Sequence, residues 1–127
     1  MVKKDIKTQN EEINDINPKE AFKMIKENKN NLDLIILDIR TLAEYDDGHI
    51  ERAENIDYSS FDFEETLEEM DRNRKYIIYC RSGVRSSNSC DIMKDLGFHD
   101  LYNIKGGIDA WKKMGFPVHV RDLGWKD

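Results

Sequence analysis

Two cysteines in 127 residues are too few for a disulfide scaffold or a four-ligand zinc site. The three histidines, His49, His99 and His119, are scattered without metal-ligand spacing, so neither a resident metal nor another cofactor is expected. No run of 18 or more apolar residues is present to span a membrane, which argues against a membrane partner. Met1-Val2-Lys3-Lys4-Asp5 lacks the apolar core and small-residue cleavage site of a signal peptide. The expected compartment is therefore the cytoplasm, where thiols start reduced. Positive charge is also in deficit: 20 Lys and Arg against 26 Asp and Glu give a net −6, the wrong sign for gripping nucleic acid. Internal repeats and low-complexity stretches are missing too.

What remains is a chain near the commonest size for one compact domain, with 39% hydrophobic residues to build one core. Residues 1–10 are polar and read as a flexible N-terminal segment, 11–118 as the domain, and 119–127 as a C-terminal tail in which Trp125 could pack on the domain or on a second chain. Asn17-Pro18-Lys19-Glu20 reads as a helix start, with Asn as N-cap, Pro at the first position and Glu completing a capping-box pair. Ala21, Phe22 and Ile25 then share one face.

Asp33 to Asp38 and Lys75 to Tyr79 are short apolar runs without alternation, the pattern of strands buried on both faces of a parallel sheet. Ala53 to Asp57 and Leu101 to Ile104 are weaker strands, and Glu12-Ile13 a short edge strand. Phe63, Leu67 and Met70 repeat at helical spacing among six acids, which read as a solvated face. Arg85 to Leu96 predicts a helix closed by Gly97, and Ile108, Trp111 and Met114 predict a last short helix closed by Gly115. Strands alternating with helices imply an α/β fold whose working site lies at the carboxyl ends of the strands.

Directly after the strand at 75–79 comes Cys80-Arg81-Ser82-Gly83-Val84-Arg85-Ser86, and then a helix. A cysteine there meets unpaired backbone N–H groups and the positive end of the helix dipole. Gly83 lets the loop curl, so that its N–H groups can form a nest for an anion. Arg81 and Arg85 add permanent positive charge, and Arg72, Arg74 and Lys75 continue a stretch from 72 to 90 with five bases and no acid. An ordinary cysteine, of pKa ~8.5, is only about 3% thiolate at pH 7; these features favour the thiolate. The bland alternative is a buried structural cysteine with solvated arginines, but the combination matches what an activated nucleophile needs.

These residues resemble the rhodanese family. Asp38-Ile39-Arg40, Glu44-Tyr45-Asp46-Asp47-Gly48-His49-Ile50 and Ala53-Glu54-Asn55-Ile56 follow its D-x-R-x-x-x-E-[FY]-x-x-G-H-I-x-x-A-x-N-I signature. The Cys80–Ser86 loop is the second motif, and Tyr102 to Trp111, with Gly106-Gly107, is similar to Y-x-x-x-G-G-x-x-x-W. The resemblance spans about residues 12–118 and implies a three-layer α/β/α domain around a five-stranded, mainly parallel sheet. It further implies sulfur transfer through a persulfide on Cys80, with Arg81, Ser82, Gly83, Val84 and Arg85 binding the substrate. The donor would be a small anion such as thiosulfate or a persulfide, and the acceptor cyanide or a thiol, a protein thiol included.

Phosphatases and arsenate reductases of this fold separate Cys and Arg by five residues; four intervene here, which resembles the sulfurtransferase branch. A rhodanese-like module that only docks a partner or relays sulfur from a dedicated protein is the other reading, and such silent members typically lack the cysteine. Cys90 reads as core with Met93 and Leu96, and Trp111 as core. His49 reads as a structural hydrogen-bonding residue, Asp38 and Arg40 as an ion-pair network, and Gly106-Gly107 as a tight turn.

Overall fold

The computed structural model describes residues 13–120, so the readings of residues 1–10 and of Trp125 lie outside the described residues. Five strands form one sheet: β1 (Asn14–Ile16), β2 (Leu34–Asp38), β3 (Glu54–Asn55), β4 (Lys75–Tyr79) and β5 (Leu101–Ile104), in the order β1-β5-β4-β2-β3. All four pairings are parallel. Between them run α1 (Pro18–Glu27), α2 (Leu42–Asp47), α3 (Phe63–Glu68), α4 (Val84–Asp95) and α5 (Gly107–Lys113). None of these helices is long and apolar enough to cross a membrane.

Because successive strand residues point to opposite faces, the apolar runs of β2 and β4 supply two cores at once. Leu37, Ile39, Tyr76, Ile78 and Cys80 pack on one face with Phe63 and Leu67 of α3 and Cys90 and Met93 of α4. Leu34, Ile36, Ile77 and Tyr79 pack on the other with Ala21 of α1 and Ile108 and Trp111 of α5. The result is the expected three-layer α/β/α arrangement.

Local signals explain the boundaries. Asn17 caps α1 with its side chain on the Glu20 N–H (2.8 Å), while Glu20 reaches back to the Asn17 N–H (2.9 Å), and Pro18 opens the helix. Some expectations are corrected. The edge strand begins at Asn14 rather than at Glu12-Ile13, where it can add to β5; Glu12 itself lies outside the described residues. The strand read at 53–57 pairs only over Glu54–Asn55, because the chain then turns toward α3. Met70 lies beyond the end of α3, and Met114, at the C-cap of α5, is 52% exposed rather than core.

The short helix α2 was not anticipated as a separate element. Thr41 caps it, its hydroxyl accepting from the Glu44 N–H at 3.2 Å while Glu44 returns to the Thr41 N–H at 3.1 Å. The same stretch carries a buried polar network. Arg40 grips Asp38 through Nε and Nη2 (2.7 Å at the closest) and donates from Nη2 to the Gly48 carbonyl at 2.7 Å. Tyr79 donates to Asp38 at 2.7 Å and accepts from the Ile50 N–H at 3.0 Å. Asn55 donates to the carbonyls of Asp38 and Arg40. The Asp38–Arg40 pair is thus a buried clamp that ties the end of β2 to β4 and to the chain entering β3.

Candidate active site

Adjacent strands β2 and β4 lead away in opposite directions, β2 toward β3 at one edge and β4 toward β5 on the other side. A crevice opens at the carboxyl ends of strands at such a divergence. Cys80 occupies that position, one residue past β4 and three before the N-cap of α4.

The loop curls around its sulfur. Sγ receives the N–H of Gly83 at 3.1 Å and the N–H of Ser86 at 3.4 Å, with the Ser86 hydroxyl also 3.4 Å away. Gly83 takes φ +102°, a left-handed conformation that side chains rarely adopt, and this turns its N–H inward. A second glycine holds the loop from behind. A Cβ on Gly107 would come within 2.4–2.5 Å of the backbone of Cys80 and Arg81, so only glycine permits the approach. That approach lets the Ile108 and Asp109 N–H groups donate to the carbonyls of Cys80 (2.9 Å) and Arg81 (3.1 Å). The Gly106-Gly107 pair is therefore a turn that braces the loop.

Burial pushes the Cys80 thiol up, but the Ser86 hydroxyl and the N–H groups of Ser86, Gly83 and Ser82 outweigh it, and the net displacement is downward. Although only 3% exposed, Cys80 lines a cavity of about 280 Å³ together with Arg40, Glu44, Arg81, Ser82, Val84 and Arg85. Four of the five residues expected to bind substrate, Arg81, Ser82, Val84 and Arg85, line this cavity; Gly83 does not, and reaches Sγ only through its backbone N–H.

The arginines differ from expectation in how they act. Arg81 is largely exposed and lies 3.8 Å from Asp109, and the Arg85 guanidinium stands 5.9 Å from the Tyr58 ring. Neither is among the groups that lower the thiol; hydrogen-bond donors do that. The basic stretch is also dispersed. Arg72 donates to the carbonyls of Glu68, Met70 and Leu96, Arg74 pairs with Asp71, and Lys75 sits over Tyr102. The cationic lining of the cavity is instead Arg81, Arg85 and the buried Arg40, tempered by Glu44.

Ser86 was missed as a site residue. Its signal was position: three residues into α4 from Gly83, its N–H is one of the four that a helix leaves unpaired. Cys90 stands apart: fully buried, with burial and the carboxylates of Asp15 and Asp91 pushing its thiol up to about 12. His49 is occupied structurally. Its Nδ1 lies 2.7 Å from the Tyr45 carbonyl, its ring stacks on Tyr45, and its backbone pairs with that of His119. Among the described residues no group of His, Cys, Asp and Glu is placed to hold a metal ion.

Residues 17–114 match the family model described as a rhodanese-like domain. A protein named sulfurtransferase from Allochromatium vinosum is 35% identical over 86 residues, covering 68% of this chain and 78% of its own. The "Thiosulfate sulfurtransferase GlpE" of Actinobacillus pleuropneumoniae is 29% identical over 110 residues, 87% of this chain and 96% of its own. The "Probable adenylyltransferase/sulfurtransferase MoeZ" of Mycobacterium tuberculosis is 36% identical over 87 residues, 68% of this chain, and the match spans only 22% of that longer protein. Among solved structures, a rhodanese-related protein from Thermoplasma volcanium superposes with a TM-score of 0.72 at 28% identity, covering 85% of this chain and 99% of its own. A protein from Rhodopseudomonas palustris described as a "Possible Tyrosine Phosphatase" superposes with a TM-score of 0.69 at 25% identity, covering 84% of this chain and 85% of its own. Sequence, sheet order and the cup around Cys80 agree: the chain belongs to the rhodanese-like domain family.

Proposed function

We propose that this protein is a sulfurtransferase that carries a sulfane sulfur on Cys80, taking it from thiosulfate or a persulfide and passing it to cyanide or a thiol. The observation that carries the reading is the cup at Cys80, with N–H and O–H donors converging on Sγ from Gly83 and Ser86. The Cys80 thiolate attacks the outer sulfur of thiosulfate; the new S–S bond forms as the old one breaks, and sulfite departs with the electron pair. The persulfide anion then sits among the loop N–H groups. A cyanide or thiolate acceptor removes the outer sulfur and restores the Cys80 thiolate, in ping-pong order. Arg81, Arg85 and Arg40 face the anionic donor as it enters.

Relatives that carry the names sulfurtransferase and thiosulfate sulfurtransferase support this reading. The structural neighbour described as a possible tyrosine phosphatase favours a second one, hydrolysis of an aryl phosphate. Loop length weighs against it: the four residues between Cys80 and Arg85 make a ring suited to one sulfur rather than a tetrahedral oxyanion. Sulfite release from thiosulfate plus cyanide, scored beside Cys80→Ala and beside aryl phosphate hydrolysis, separates the readings. Sulfite release that disappears in Cys80→Ala is expected. Phosphate release that disappears in Cys80→Ala, without sulfite, would establish the phosphatase; neither product would leave a docking or relay module.

A further inference from the structure

A second cavity of about 270 Å³ adjoins the one at Cys80 and shares Arg40, Glu44 and Arg81 with it. Its other charged walls are Asp47, Asp109 and Lys112. That volume admits a compact small molecule rather than a chain segment. Together the two cavities make one cleft with the nucleophile at one end.

Charge changes sign along this cleft. Around Cys80, the lining residues Arg40, Arg81 and Arg85 face a single carboxylate, Glu44. In the second cavity the carboxylates are Glu44, Asp47 and Asp109. Two of the cations there are already engaged: Asp38 holds Arg40 at 2.7 Å, and Arg81 lies 3.8 Å from Asp109. Lys112 is left to face both Glu44 and Asp47, so the far end carries a net negative charge. Glu44 stands on the wall common to both cavities. Its Oε1 accepts from the Thr41 N–H at 3.1 Å and from the Thr41 hydroxyl at 3.2 Å, while Oε2 has no hydrogen-bond partner among the described residues.

A thiolate drawn to the cationic end, with an ammonium group a short tether away, matches this gradient; an anionic thiol does not. We propose that the second cavity is an ammonium subsite for the acceptor thiol, and that Glu44 is the residue that selects an aminothiol over an anionic thiol. This rests on the persulfide reading of Cys80 and names the class of acceptor. In the step concerned, the thiolate of the aminothiol attacks the outer sulfur of the Cys80 persulfide. The new S–S bond forms as the bond to Sγ breaks, and Sγ leaves with the electron pair as the Cys80 thiolate. The ammonium group keeps its proton throughout and only orients the attack.

The test discharges persulfide-loaded protein, freed of thiosulfate, with thiols of similar length: cysteamine (cationic), 2-mercaptoethanol (neutral) and 3-mercaptopropionate (anionic). Loss of the added sulfur is followed by intact mass. Each variant's rate is divided by the wild-type rate for the same thiol, which cancels intrinsic reactivity. Glu44→Gln keeps an oxygen for the Thr41 cap and removes only the charge. At low salt it should slow cysteamine about fivefold, the worth of one charge pair near 4 Å in water, and speed 3-mercaptopropionate by a similar factor. The rate with 2-mercaptoethanol should not move. Asp47→Asn should act in the same direction more weakly, and about 1 M salt should shrink both effects. Glu68→Gln, which removes the same charge from an exposed position of α3 outside both cavities, should leave every ratio unchanged. An equal change for all the thiols, no change for any, or the same split in Glu68→Gln overturns the proposal. Should Glu44→Gln fail to fold, Asp47→Asn decides by the same criteria. If thiosulfate never loads Cys80, the persulfide reading fails by itself and the subsite is still tested on the thiol. Peptide mass then compares modification of Cys80 by 2-aminoethyl and 2-sulfonatoethyl methanethiosulfonate. Glu44→Gln should slow the first and speed the second, and an equal change in both overturns the subsite.

Discussion

Cys80, in the loop before α4, and Cys90, within α4, lie in one core cluster, and both have less than a twentieth of their surface exposed. Burial acts on both thiols in the same direction, yet their acidities part. Around Cys80, donors from Ser86, Gly83 and Ser82 converge and bring the thiol down. Around Cys90 no such donors gather among the described residues, burial and the carboxylates of Asp15 and Asp91 act together, and the thiol is pushed up to about 12. Depth is therefore a poor guide to reactivity here; the direction of a few N–H bonds, set by a left-handed glycine at the mouth of a helix, is what divides the two.

Breaking the contrast from the Cys80 side should have the largest effect. Cys80→Ser is expected to reduce sulfite release from thiosulfate by at least about 10³-fold, since the nucleophile is gone, while the fold survives by circular dichroism. Next comes the clamp that holds β2 to β4. Arg40→Leu leaves the carboxylate of Asp38 buried without its cation, and a loss of about 3–5 kcal/mol should appear in urea denaturation. Gly107→Ala pushes a methyl group into the Cys80 and Arg81 backbone, and a shift of about 1 Å in the loop should lower kcat/KM about 100-fold. Cys90→Ala should cost only about 1 kcal/mol of stability and leave kcat unchanged; a matching loss of turnover would give Cys90 a role denied to it here.

A pH series sharpens the same contrast. The Cys80 thiol is displaced downward, so its thiolate forms, and its alkylation rises to a plateau, at lower pH than for a free cysteine of pKa ~8.5. Cys90, near 12, should remain unmodified across that range in folded protein. Equal alkylation of the two in folded protein at neutral pH would contradict the account.

Much of this was legible in the chain itself. Leu34 to Leu37 and Tyr76 to Tyr79 are apolar on both faces of their strands, so the central strands announce themselves. Asn17-Pro18 and Gly97 mark helix ends by chemistry that acts within a few residues. The cysteine, Gly83 and the following helix lie within one loop, which is why the cup could be foreseen. What stayed hidden depends on the third dimension. Asn103 reaches Ser86 only because β5 lies beside β4, and no spacing in the chain reports that neighbour. Nor does local sequence reveal that Arg72 turns to the Leu96 carbonyl at the end of α4 while Arg40, far from Cys80 in sequence, lines its cavity. Charges close in sequence are a poor measure of the field at a site, because long side chains choose partners across the fold.

The most direct test of the central claim is the intact mass of the protein after incubation with thiosulfate. Transfer of one sulfur to Cys80 predicts a gain of about 32 Da that cyanide reverses and that Cys80→Ser never shows. An unchanged mass with every available donor, or a cyanide-reversible gain that persists when Cys80 is replaced, would contradict it.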